Sequence, residues 1–148
     1  MMLKRYHATM LEEDEMFSSG NVTVYVTNMD RAVRFYTEVL GLKLAYRFGD
    51  HWASVELGKG LTIGLHPTTE KAPAGSSKSG MSIGLELSGS IDEAVKTLEA
   101  RGVRFLTRVD EGKAGKFAHF QDPDGNSLYL AQLDWKHVNQ GEGQYQHA

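Results

Sequence analysis

The stretch WASVELGKGLTIGLHP, Trp52 to Pro67, lies without a gap over FAHFQDPDGNSLYLAQ, Phe117 to Gln132. The residues differ, but in both stretches apolar side chains alternate at period two on either side of a turn. That is the pattern of a β-hairpin with one buried face. The turns are Gly58-Lys59-Gly60 and Asp122-Pro123-Asp124-Gly125. Upstream of each hairpin the same elements recur in the same order. Strands are predicted over Leu42–Phe48 and Val103–Val109, preceded by helices that stop at Gly41 and Gly102. Met29, Ala32, Val33, Tyr36, Val39 and Leu40 mark the apolar side of the first helix, with Asn28 as its N-cap. Ile91, Ala94, Val95 and Leu98 mark the second. A strand opens each series: Asn21–Thr27, where Val22, Val24 and Val26 share a face, and Ser82–Ser88, where Ile83, Leu85 and Leu87 do.

The expected fold is therefore α+β, built from two tandem βαβββ units over 21–67 and 81–132, each packing its helix on its own sheet. Together they make one domain over 21–133. Residues 1–20 read as an N-terminal extension and 134–148 as a polar tail. Pro67–Gly80, with two prolines among Gly, Ser and Thr, reads as a flexible connector.

Composition narrows the function. At 148 residues, 41% apolar and 24% charged, the chain has the size and make-up of one globular domain. A net charge of -3 offers no broad basic patch, so nucleic acid is not an expected partner. The chain has no cysteine, which removes disulfides, thiol nucleophiles and thiolate ligands together and points to the cytoplasm. Apolar runs are too short for a membrane span or a signal peptide.

Two segments carry a family resemblance. Asn28-Met29-Asp30-Arg31-Ala32-Val33-Arg34-Phe35-Tyr36, continuing to Val39-Leu40-Gly41-Leu42, resembles the first helix and following strand of the vicinal oxygen chelate superfamily. This is the group of glyoxalases, bleomycin-resistance proteins and extradiol dioxygenases. Phe120-Gln121-Asp122-Pro123-Asp124-Gly125-Asn126, followed by Leu128 and Leu130, resembles its final hairpin. The resemblance implies two facing curved mixed sheets around a cavity, in a homodimer. In metal-using members the resemblance also implies His at the start of both opening strands and Glu on the last strand, with a further Glu in some glyoxalases. Here those positions are Asn21, Ser82, Tyr129 and Gly64. Neutral donors hold a divalent cation weakly, so the expectation is no cofactor and no metal at the inherited site.

Period-two geometry then assigns faces. Ala53, Val55, Leu57, Leu61, Ile63 and Leu65 are expected to face the first helix. The other face of that hairpin carries Trp52, Ser54, Glu56, Thr62, Gly64 and His66, with Trp52 opposite His66 and Glu56 opposite Thr62. In the second hairpin Phe117, His119, Gln121, Ser127 and Tyr129 point the same way, with His119 opposite Tyr129. Asn21, Thr23, Tyr25, Ser82, Gly84 and Glu86 join them from the opening strands. Trp52, Tyr25 and Phe117 either fill the sheet surface or serve as platforms for a flat ligand. Candidate substrate-binding residues are Trp52, His66, Asn21, Tyr25, Ser82 and Phe117.

The leading expectation is a protein that binds a small aromatic or amphipathic molecule without a metal. A rival is a metal-independent lyase or isomerase with Tyr129, His119 and Glu56 moving protons. A third is a metal-dependent lyase or dioxygenase whose divalent ion sits at a displaced site on His66, His119 and Glu56. Gly58-Lys59-Gly60 has no helix behind it to hold phosphate, and Asp122-Pro123-Asp124-Gly125 is too short for a calcium loop.

Overall fold

The computed structural model describes Met16 and residues 19–70, 72–75, 80–112 and 115–134. The expectations for 1–20 and 134–148 therefore lie almost wholly outside the described residues. Strand β1 (Val22–Val26) leads into helix α1 (Met29–Arg34), then β2 (Lys43–Phe48), β3 (Trp52–Leu57) and β4 (Leu61–Pro67). The second unit repeats the order with β5 (Ile83–Glu86), helix α2 (Ile91–Ala100), β6 (Phe105–Gly112), β7 (Gly115–Gln121) and β8 (Ser127–Leu133). Each unit forms a four-stranded mixed sheet, in the orders β1-β4-β3-β2 and β5-β8-β7-β6. The chain has the expected α+β fold of two βαβββ units.

The face assignments hold in the register. β3 and β4 pair antiparallel with Glu56 opposite Thr62, and β7 and β8 with His119 opposite Tyr129. Ala53, Val55, Ile63 and Leu65 are fully buried, as are Ala118, Phe120 and Leu128. One apolar cluster runs through both units. Both third-from-last strands carry a register shift at the same place in the repeat, around Ala45 in β2 and around Leu106 in β6. A bulge there twists the strand away from the hairpin it pairs with.

Helix α1 differs from the sequence expectation of one regular helix. Asn28 caps it, its Oδ1 accepting from the Arg31 N–H at 2.9 Å. After Arg34 the chain widens into a π-helical turn, Phe35–Val39, closed by the Leu40 N–H on the Phe35 carbonyl. Tyr36 lies in this turn, fully buried, and its hydroxyl donates to Asp122 Oδ2 at 2.9 Å. Asp122 belongs to the other unit, so this turn is a contact between the two repeats.

No helix among the described residues is long and apolar enough to cross a membrane.

Candidate functional site

β1 and β5 are edge strands, each paired with one neighbouring strand only, and residues of both line the seam between the two sheets. A cavity of about 570 Å³ opens there. Val22, Val24, Ile83, Leu61 and Met81 supply most of its apolar wall, and Thr23, Tyr25, Ser82, Gly84 and Asn126 its polar edges. Ala72, Pro73, Ala74 and Gly75 close one side. The size and the predominance of apolar lining suit a small organic molecule. The connector read from sequence as a flexible link is thus part of the wall. Its prolines and glycines carry no period that would have placed it there.

The hairpin turn of the second unit holds the seam together. Asp124 accepts from both the N–H and the hydroxyl of Thr27 and from Arg31, all on Oδ1. Asn126 donates from Nδ2 to the Tyr25 carbonyl and to Asp122 Oδ2, while Asp122 Oδ1 takes the N–H groups of Asp124 and Asn126. Burial pushes the Asp122 carboxyl above the usual carboxylate range, although its four donors pull the other way. Tyr36, buried and facing that carboxyl, is pushed well above the usual phenol value, first by desolvation and then by the Asp122 charge. It stays a hydrogen-bond donor at any ordinary pH. The sequence marked this turn only as a turn.

The sites expected from sequence fall into three places. Tyr25 lines the seam cavity, and its ring stands edge-on to His66 at 5.5 Å; Trp52 meets His66 from the other side at 6.2 Å. His66 Nδ1 lies 2.7 Å from the Pro67 carbonyl. A carbonyl only accepts, so Nδ1 carries a proton and is the donor in this contact. On the second sheet His119 and Tyr129 pair in register with ring centres 5.4 Å apart, and Phe117 meets Tyr129 at 6.3 Å. Glu56 sits elsewhere, in a recess of about 460 Å³ with Lys43, Lys59 and Thr62 at the end of the first hairpin. The structure groups Trp52, His66 and Tyr25, and separately His119, Tyr129 and Phe117. It does not bring Glu56 to either group.

The four positions at which the family resemblance implies metal ligands are filled in other ways. Asn21 Oδ1 accepts from the Thr23 hydroxyl at 3.0 Å, and Ser82 shares a 3.1 Å hydrogen bond with Ser127. The benzo ring of the Trp52 indole lies against Gly64, so that a Cβ at position 64 would stand 2.2 Å from its Cη2. The Tyr129 ring lies over Gly84 in the same manner, 2.5 Å from where a Cβ would stand. One amide, one hydroxyl, one phenol and a backbone without a side chain do not make a donor set for a divalent cation. Nor are any three His, Asp or Glu side chains among the described residues grouped to hold a metal ion, His66, His119 and Glu56 included.

Paired βαβββ units, with a cavity lined by the first strand of each, define a two-module α+β fold. The family model described as the Glyoxalase/Bleomycin resistance protein/Dioxygenase superfamily matches residues 18–130, and the chain belongs to that superfamily. The uncharacterized protein YetH of Bacillus subtilis is 30% identical over 114 residues, covering 75% of this chain and 94% of YetH. Among solved structures, the chain is similar to TnmS3, an antibiotic binding protein from Streptomyces sp. CB03234. Identity is 27% and the TM-score 0.65, over 81% of this chain and 100% of that one. A superfamily member from Sphaerobacter thermophilus is 25% identical with a TM-score of 0.66, over 79% of this chain and 98% of that one.

Proposed function

We propose that this protein binds a flat aromatic or amphipathic small molecule at the seam cavity, without the metal ion of the metal-using members of its superfamily. The observation that carries this reading is the seam cavity of about 570 Å³, with Tyr25 on its wall and the His66 and Trp52 rings behind Tyr25. Support comes also from the mostly apolar lining of the cavity and from the likeness to an antibiotic-binding protein of Streptomyces. Binding of this kind needs a shaped apolar slot, ring faces and a few polar groups. Tyr25 would join the ligand to the His66–Trp52 group.

A thermal-shift screen of aromatic antibiotics and metabolites, run with and without EDTA, tests it. At least one compound is expected to raise the melting temperature in a dose-dependent way, equally in both buffers. A stabilisation seen only without chelator would show that a metal is required.

His119 and Tyr129, adjacent in register with rings 5.4 Å apart, favour one second reading, a proton-moving lyase or isomerase. Its mark would be turnover of a bound compound that disappears in Tyr129→Phe and His119→Ala while binding persists. Tyr46, Phe48 and Leu106 are large apolar side chains left exposed on β2 and β6. A homodimer that covers them is our expectation for the assembly, read out by light scattering after gel filtration. The absence of cysteine fits a cytoplasmic protein.

A further inference from the structure

The hydrogen bonding of the two edge strands shows which backbone groups face the seam. In a parallel pair, the N–H and C=O of alternate residues point to the neighbouring strand, and those of the residues between point away. The Thr68 N–H donates to the Val26 carbonyl, so Val26, Val24 and Val22 are the residues of β1 bonded to β4. Thr23 and Tyr25 point away, into the seam. Two contacts agree with this parity: the Tyr25 carbonyl accepts from Asn126 Nδ2, and the Thr27 N–H donates to Asp124. On β5 the Leu87 N–H donates to the Ala131 carbonyl, so Ile83, Leu85 and Leu87 bond to β8. Ser82 and Gly84 therefore turn their backbone groups toward the seam.

The same four residues, Thr23, Tyr25, Ser82 and Gly84, line the cavity. On one edge the Thr23 carbonyl and the Tyr25 N–H are a neighbouring acceptor and donor. On the other, the Ser82 carbonyl and the Gly84 N–H repeat the arrangement. No strand of the described chain pairs with either edge. Ala72–Gly75 and Met81 wall the space to about 570 Å³, which admits a small molecule and not an added strand from another protein.

We propose that the open edges of β1 and β5 form an amide-recognition slot, whose ligand carries an N–H beside a C=O, as in a lactam, an imide or an aromatic carboxamide. Such a group satisfies the acceptor and donor of one edge at once, while its ring plane lies against the apolar wall. Backbone recognition of this kind needs no charged side chain and no metal. It explains how a cavity with a few neutral side-chain polar groups selects among flat molecules. The proposal rests on the seam cavity being the ligand site and adds the chemistry of the ligand.

Two measurements test it separately. Amide hydrogen exchange of the free protein by NMR is expected to be at least about tenfold faster for Tyr25 and Gly84 than for Val24 and Leu85. Equal protection within each strand would overturn the open-edge assignment without reference to any ligand. 2-Quinolone and N-methyl-2-quinolone then serve as probes, matched in shape but differing in the N–H. 2-Quinolone is expected to bind about five- to tenfold more tightly and to slow exchange at Tyr25 or Gly84. Equal binding of the two would overturn amide recognition and leave the cavity as an apolar binding site. No binding of either would count against both readings.

Discussion

Asp122 is a carboxyl that the fold has taken out of water and surrounded with four donors: Tyr36 Oη, Asn126 Nδ2 and the backbone N–H groups of Asp124 and Asn126. Burial outweighs those bonds and raises its pKa, so the folded state binds this proton more tightly than the unfolded chain does. The sign follows. The stabilisation this proton provides is complete below the ordinary carboxylate value and is lost as pH rises through the raised one. Relative to Asp122→Asn, which has no proton to lose, the wild-type protein should gain stability as pH is lowered from 7 to 3, measured by urea unfolding at each pH. A difference that shrinks with falling pH would contradict this. Gly64 is the second decisive residue, since the Trp52 indole rests on its backbone. Gly64→Val should push the half-buried indole outward and red-shift its fluorescence. The fold should survive, because the displaced ring has solvent to move into. Sequence reading identified Gly64 as a missing ligand position. It did not show that an aromatic ring fills the gap, because the ring comes from the next strand.

At the scale of elements, the β7–β8 turn does more than reverse the chain. Asp122-Pro123-Asp124-Gly125-Asn126 was legible as a turn from its residue types alone. Its partners were not, because Thr27, Arg31, Tyr36 and Tyr25 lie in the other unit. Asp124 makes three of these contacts through Oδ1, with a side chain only 2% exposed and its Oδ2 buried without a partner among the described residues. Asp124→Ala removes both Thr27 hydrogen bonds, whose donors are exposed and pass to water, and should cost about 0.5–1.5 kcal/mol in chemical denaturation. The Arg31 contact adds little to that figure, since its side chain is 44% exposed. Faster exchange of the Thr27 amide in the variant would locate the damage at the seam. The π-helical turn over Phe35–Val39 escaped the sequence reading for a similar reason. Met29 to Leu40 have helical spacing, which does not mark a one-residue widening, and the Asp122 partner of Tyr36 lies in the other repeat.

For the whole molecule, one apolar cluster spans both units and the seam carries their shared hydrogen bonds. The two repeats should therefore unfold together, with far-UV and near-UV circular dichroism melting in a single coincident transition. Two resolved transitions would mean that each unit is stable alone. The repeat itself, the strand faces and the register of both hairpins were readable in the chain. They follow from alternation and from turn residues, which act over a few neighbours and leave their mark on the residues present. The absence of His and Glu at the family's ligand positions was equally plain. What tertiary structure alone decided is where the cavity lies. It lies between two edge strands, closed by a connector that carries no periodic signal, and edged by backbone groups that every residue possesses. Sequence distinguishes side chains and is silent about which main-chain amides remain unpaired. That is set by which strands find neighbours, a property of the assembled sheets and not of any single segment.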